Sequence, residues 1–354
     1  MPKNIIVIGA STGGIEALRT LVAGLPRDLA ASVFVVIHIA AESPGVLADI
    51  LDRASPLSAV AVKSRMRLEP ARIYVAAPDR HLIIEPGFVQ ATQGPKENRF
   101  RPAIDPLFRS AAQVYGPRAI GVILTGGLDD GTAGLWTIKQ LGGTAIVQDP
   151  ADAFMDSMPR NALQYVRVDH CVPLSQMASL LVRLVNEQDD APEAIMVPDE
   201  VKIEVDIAKE DRALHAGVLT LGEPSNYTCP ECHGVLLQLK EGGRIRFRCH
   251  TGHAYAAESL LAEISTAIED SLWNAVRTIE ESGMLLRHLA QHLIDVQQHD
   301  LANSFISRAA ETDHRINIVR KAMKEQSPPG EPLRDAENRA ETPGGPAAAA
   351  KRLT

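Results

Sequence analysis

Three side chains and one cysteine cluster could carry chemistry in this chain of 354 residues. Ser11 lies in Gly9-Ala10-Ser11-Thr12-Gly13-Gly14, directly after an apolar run and at the start of a helix-like segment. Glycines permit a tight turn beyond a strand's carboxyl end, and free N–H groups at a helix start stabilise an anion. The string fits the G-x-S-x-G nucleophile elbow and equally the Gly-rich phosphate turn of dinucleotide-binding folds. Such a fold would hold a ribose with an acid at the end of its second strand, whereas the second apolar run here ends in Ile37-His38-Ile39. A histidine at that point faces the same crevice as Ser11, although a lone histidine is commonly structural. The third element is the Gly-rich stretch holding Asp129 and Asp130 after the apolar run 119–124. Two acids between glycines usually mark a solvated turn. At the ends of three parallel strands, however, Ser, His and Asp could act as nucleophile, base and orienting carboxylate. Their chain order, Ser–His–Asp, is not the Ser–Asp–His of the α/β-hydrolases.

The second cluster is Cys229-Pro-Glu-Cys232, followed sixteen residues later by Cys249-His250-Thr-Gly-His253. Three thiolates and an imidazole at this spacing make a soft tetrahedral donor set suited to zinc. His253 is preferred to His250, because a ligand adjacent to Cys249 is geometrically awkward. The set is closed, with no position left for a catalytic water, so the expected zinc is structural. A redox C-x2-C would need a thioredoxin-like context that is absent. The fourth cysteine, Cys171 beside His170, reads as a buried structural thiol.

The elements that must position these groups follow from periodicity. Runs 4–8, 33–37, 73–76, 119–124, 144–147 and 168–172 are short, Val/Ile-rich and without polar alternation, as strands covered on both faces are. Helix-like stretches such as 15–25 and 106–115 lie between them. The expected fold is α/β, a doubly wound, mostly parallel Rossmann-like sheet, with a C-terminal zinc knuckle and helical hairpin. The expected boundaries are a catalytic domain over 1–186, a linker over 187–226 with one strand at 201–205, and a knuckle over 227–255 that includes a strand RIRFR at 244–248. A hairpin over 256–325 and a disordered tail over 326–354 complete the chain. Leu261, Ile264, Ile268, Leu272, Val276 and Ile279 recur at helical steps, and the Trp273-bearing stripe is expected to be a seam within the hairpin.

Composition limits the function classes. With 45% hydrophobic and 23% charged residues the chain can bury a sizeable core, and a net charge of −8 argues against a general nucleic-acid binder. No apolar run reaches the roughly 18–20 residues of a membrane span, the N-terminus lacks the features of a signal peptide, and the clustered thiols suit a reducing compartment. The expected location is cytoplasmic, without membrane insertion. Arg99, Arg101 and Arg109 form a modest basic cluster, read either as solvated or as a guide for acidic helices.

IGASTGG, IH, RPAIDPLF, ILTGGLDDGTAG and SMPRNA, in this order, resemble the CheB family of chemotaxis protein-glutamate methylesterases over about residues 5–184. The resemblance implies Ser11 as nucleophile, His38 as general base and Asp130 as the carboxylate that orients it. It also implies hydrolysis of methyl esters on glutamate side chains of chemoreceptor cytoplasmic helices, with methanol released, and deamidation of receptor glutamines, with no catalytic cofactor. The N–H groups of Thr12 and Gly127 are the oxyanion-hole candidates. Partners implied are methyl-accepting receptors, with a chemosensory kinase or a separate receiver protein as further candidates. The family loop commonly reads GMGNDG; here Gly127 and Asp129 replace Met and Asn. The family's N-terminal receiver domain is expected to be absent, since the first strand begins at residue 4. The alternative is a non-catalytic nucleotide-binding or scaffold module of a chemosensory pathway.

Overall fold

The computed structural model describes residues 4–187, 196–210, 212–241 and 243–324; the expected tail over 326–354 lies outside them. In chain order the strands begin β1 (Ile5–Ala10), β2 (Ser32–Ile37), β3 (Ser58–Val62), β4 (Met66–Arg67), β5 (Arg72–Ala76), β6 (His81–Glu85) and β7 (Phe88–Thr92). They continue with β8 (Ala119–Ile123), β9 (Thr144–Gln148), β10 (His170–Val172), β11 (Glu223–Thr228), β12 (Val235–Glu241), β13 (Arg244–Cys249) and β14 (Ala254–Ala256). The helices are α1 (Gly14–Ala23), α2 (Leu47–Ala54), α3 (Ile104–Tyr115), α4 (Thr132–Gln140) and α5 (Ser157–Tyr165), then α6 (Leu174–Asn186), α7 (Asp199–Glu210), α8 (Ala213–Ala216), α9 (Ala257–Asp295) and α10 (His299–Lys324).

All six expected strands form and are joined by β3 in a sheet ordered β10-β9-β8-β1-β2-β5-β3, with every pairing parallel. Both faces are covered, which is why the runs lack polar alternation. Ile6, Ile8 and Ala10 of β1 pack with Leu18 and Leu21 of α1 and Leu181 of α6. Ile5 and Val7 point the other way, to Leu107 and Phe108 of α3 and Leu135 of α4. The strand order reverses at β1, between β8 and β2. Ligands bind at such switch points, beyond the strands' carboxyl ends. Two antiparallel sheets are added: β4-β7-β6, and β11-β12-β13-β14 around the cysteine cluster.

By contacts the chain forms two compact units, one ending at Glu263 and one starting at Ile264. The expected strand at 201–205 is instead part of α7. Val205 and Ala208 pack on Ile83, a one-sided apolar spacing that suits a helix against a sheet better than a strand. The second unit holds the rest of α9 and α10. Arg320 pairs with Glu280 at 2.7 Å, and a Cβ at Gly283 would lie 2.5 Å from Thr312 Oγ1. Trp273 is 55% exposed and does not line the seam, whereas Val276, Ala302 and Ile316 are buried. Cys171 is exposed rather than buried, because β10 is an edge strand.

A Cβ at Gly134 in α4 would lie 2.4 Å from Phe108 Cβ and 3.0 Å from the Asp105 carbonyl oxygen of α3. Neither atom is the free end of a flexible chain. Gly134→Ala should therefore lower unfolding stability by about 1–3 kcal/mol through overpacking, read as a lower urea midpoint at unchanged m-value.

Candidate active site and metal site

Ser11 stands immediately beyond β1. Its N–H donates to Thr125 O at 2.9 Å, and Gly14 N–H donates to Ser11 O at 2.8 Å, which closes the turn. Gly13 occupies the left-handed region at φ 79, where a Cβ would in addition meet Phe154 Cβ at 2.7 Å. His38 follows β2 directly, with its backbone N–H on Ala10 O at 3.3 Å. Its ring presents Nδ1 to Ser11 Oγ at 3.1 Å and Nε2 to Asp130 Oδ2 at 2.7 Å. Phe100 stacks on the other side of the path, its ring centroid 3.7 Å from that of His38 with the planes 4° apart. Three loops at the carboxyl ends of β1, β2 and β8 thus bring one serine, one histidine and one carboxylate into a line.

Asp130 is 1% exposed. Burial alone pushes its carboxyl up. The hydrogen bond and charge of His38, with donors from Ile104 N–H and Asn98, outweigh that and hold it below the usual carboxylate range. Ile104 N–H reaches Oδ2 at 2.7 Å, Asn98 Nδ2 reaches Oδ1 at 2.8 Å and Gly131 N–H reaches Oδ1 at 3.0 Å. An ionised Asp130 accepts the Nε2–H of the ring, and in the tautomer with its proton on Nε2 the Nδ1 lone pair faces Ser11 Oγ. The nearby Asp105 accepts from Asn98 Nδ2 at 3.0 Å and from Gly134 N–H at 2.6 Å. Burial, then the charge of Asp130, raises its carboxyl to about 7.

The residues 6–181 match the sequence profile of the CheB methylesterase family. A Leptospira interrogans protein bearing the name protein-glutamate methylesterase/protein-glutamine glutaminase is 39% identical over 185 residues, 52% of this chain and 96% of that protein. This chain belongs to the CheB methylesterase family. Longer members match over the same part: a protein-glutamate methylesterase/protein-glutamine glutaminase 2 of Anaeromyxobacter dehalogenans is 38% identical over 51% of this chain and 53% of its own length. The crystal structure of the Thermotoga maritima CheB methylesterase catalytic domain superposes with a TM-score of 0.50 at 32% identity, covering 52% of this chain and all of that one. The family assignment does not favour the nucleotide-binding alternative, and His38 fills the place where a ribose-binding acid would stand.

Among the described residues, the N–H groups of Thr12 and Gly127 meet no acceptor, whereas Gly126 N–H is taken by Met155 O at 2.9 Å. The three arginines do not form one solvated cluster, since Arg109 is buried while Arg99 and Arg101 are part-exposed and each is ion-paired. Arg109 is fully buried and ion-paired with Glu97 and Glu204. Arg101 is held by Asp79 at 2.7 Å, and Arg99 by Glu263. Sequence reading missed Asn98, Asp105, Glu97 and Glu204. The polar string Lys96-Glu97-Asn98-Arg99 signals a buried network only together with partners that range from Asp105 and Arg109 to Arg248 and Ala256, which a linear pattern does not reveal.

Cys229, Cys232, Cys249 and His253 place their ligand atoms within 4.8 Å of one another. Cys232 and Cys249 Sγ are 3.6 Å apart, and His253 Nδ1 lies 3.6 Å from both Cys229 and Cys249 Sγ. With Zn–S of about 2.3 Å and Zn–N of about 2.0–2.1 Å, a tetrahedral site has edges of ~3.8 and ~3.6 Å. The donor set and its spacing fit that ion. His250 stays outside, packed over Gly234. Among the described residues no helix is long and apolar enough to cross a membrane.

Asp129, where the family commonly has Asn, accepts from Ser259 Oγ of α9 at 2.9 Å. Burial, then the charge of Glu258, raises its carboxyl to about 7, partly offset by the Ser259 bond. The folded carboxyl thus binds its proton more tightly than an unfolded Asp, near 3.9. Its contribution to stability is full below about pH 4 and is lost as pH rises through about 7. Asp129→Asn should therefore raise Tm at pH 8 by roughly 2–4 °C, the effect of ~1 kcal/mol on a domain of this size. The gain should vanish near pH 4, as scanning calorimetry across that range would reveal.

Proposed function

We propose that the chain is a protein-glutamate methylesterase acting through Ser11, His38 and Asp130 on chemoreceptor cytoplasmic helices. The observation that carries this is the unbroken line from Ser11 Oγ through both ring nitrogens of His38 to a carboxylate held ionised in a buried site. His38 Nδ1 takes the Ser11 proton as Oγ attacks the ester carbonyl. The tetrahedral oxyanion collapses, methanol leaves with the proton from Nδ1, and an acyl-serine remains. Water gives a proton to Nδ1 as its oxygen attacks the acyl carbon. The second tetrahedral intermediate collapses with Ser11 Oγ leaving and taking the proton back from Nδ1, which frees the glutamate and Ser11. The N–H groups of Thr12 and Gly127 are the donors for the oxyanion. A glutamine amide follows the same course, with ammonia as the leaving group. Asp130 holds the imidazole tautomer and stabilises its charged form.

The donor set supports a structural zinc held by Cys229, Cys232, Cys249 and His253, which would cross-link the knuckle and takes no part in the reaction. Residues 1–186 carry the hydrolase and 227–255 the knuckle, and a chemosensory kinase or a separate receiver protein is the candidate regulator, in the cytoplasm. Methanol release from methylated receptor cytoplasmic fragments tests the reading. Ser11→Ala and His38→Ala should each lower kcat by at least about 10³-fold with the circular dichroism spectrum retained. Wild-type rates in a folded Ser11→Ala protein would overturn the assignment. Elemental analysis should find about one zinc per chain, lost in Cys232→Ser.

A further inference from the structure

Residues 97–100 form a tight antiparallel turn in which Glu97 N–H donates to Phe100 O at 3.2 Å and Phe100 N–H to Glu97 O at 2.9 Å. Both central residues have positive φ, 49° at Asn98 and 77° at Arg99, as a type I′ turn requires. Each corner touches the active site. Phe100 lies on the His38 ring. Asn98 donates from Nδ2 to Asp130 Oδ1 at 2.8 Å and to Asp105 Oδ2 at 3.0 Å.

The rest of Asn98 is held by the cysteine module. Its Oδ1 accepts Ala256 N–H at 2.9 Å, and its own N–H donates to Ala254 O at 2.8 Å. Both partners are in β14, the strand that follows His253. This network fixes the amide orientation, since the flipped group would set oxygen against two carboxylates and an NH2 against an N–H. A second tie runs through Arg248, the neighbour of Cys249 in β13. It donates to Glu97 Oε1 at 2.8 Å and Glu204 Oε1 at 3.1 Å, and Glu97 in turn pairs with Arg109 of α3. All five of Glu97, Asn98, Arg109, Arg248 and Glu204 are buried, where ion pairs and amides keep their geometry only while every partner is present.

We propose that Asn98 is a positioning residue for the catalytic carboxylate and that the metal-binding module, by holding Asn98 through β14, sets how Asp130 and His38 are aligned on Ser11. The module is then a determinant of the hydrolase rate, acting through hydrogen bonds and not through the metal's own chemistry. The inference rests on the Ser11–His38–Asp130 reading above.

The test uses the full chain and a small fluorophosphonate that reacts with the activated serine, so that receptor docking plays no part. Zinc is stripped with phenanthroline and restored with zinc chloride, and Asn98→Ala is prepared in parallel. Expected is a loss of labelling rate of about 10–100-fold in both, the scale of a small misplacement of a catalytic group, with recovery on zinc addition for the stripped wild type alone. For Asn98→Ala, kcat on methylated receptor fragments should fall with KM unchanged. Hydrogen exchange on stripping should deprotect 97–105 together with β13 and β14 while β1 and β8 stay protected. If the wild type labels and neither change slows it, the proposal fails and the triad stands. If the wild type does not label at all, the triad reading fails and the proposal with it. Should Asn98→Ala not fold, stripping of the wild type decides; should stripping unfold the parallel sheet, Asn98→Ala decides.

Discussion

The structure is organised around keeping one buried carboxylate ionised. An isolated charge at the depth of Asp130 would take up a proton instead of orienting a histidine. The chain answers with backbone donors at Ile104 and Gly131, the amide of Asn98 and the imidazole itself. Gly131 is the neighbour of Asp130, and the others come from the start of α3, the 97–100 turn and the end of β2, so three separate segments must converge on Asp130 before the site works. The central parallel sheet supplies the rigidity for that convergence. Gly134 marks a place where α3 lies too close to α4 for a side chain, and Gly13 one where the left-handed turn and Phe154 leave no room for a Cβ.

The alternation of buried strands and amphipathic helices made the sheet legible from the sequence, because strands covered on both faces cannot hide their composition. Ser11 and His38 could be placed at the ends of recognisable strands, whereas the choice of Asp130 over Asp129 came from the resemblance to the CheB family and not from the strand pattern. The cysteine cluster was readable from spacing, and the geometry groups His253, not His250, with the thiols. What stayed hidden depends on long-range charge pairing. Arg109 reads as a surface residue in sequence, since nothing in a linear pattern brings Glu97 and Glu204 to it. Helix α7 was obscured by its acidic, Pro-flanked surroundings, and its Glu204 faces three arginines.

The imidazole is mounted with Nδ1 towards the serine and Nε2 towards the acid, the reverse of the Ser–His–Asp template in which Nε2 serves the serine. The chemistry needs only that one nitrogen donate to the acid while the other keeps its lone pair. A histidine at the end of a parallel strand, with serine and acid on neighbouring loops, reaches both in this sense.

The shared ion network also bears on how separable the parts of this chain are. Arg246 and Arg248 of the knuckle and Glu204 of α7 enclose Arg109 of the hydrolase. A cut after residue 186 would bare that guanidinium and the underside of the 97–100 turn to water. The related Thermotoga maritima catalytic domain crystallised as a unit of its own. In this chain, by contrast, residues beyond 186 supply partners to Asn98, Glu97 and Arg109, so the first 186 residues do not satisfy their own buried polar groups.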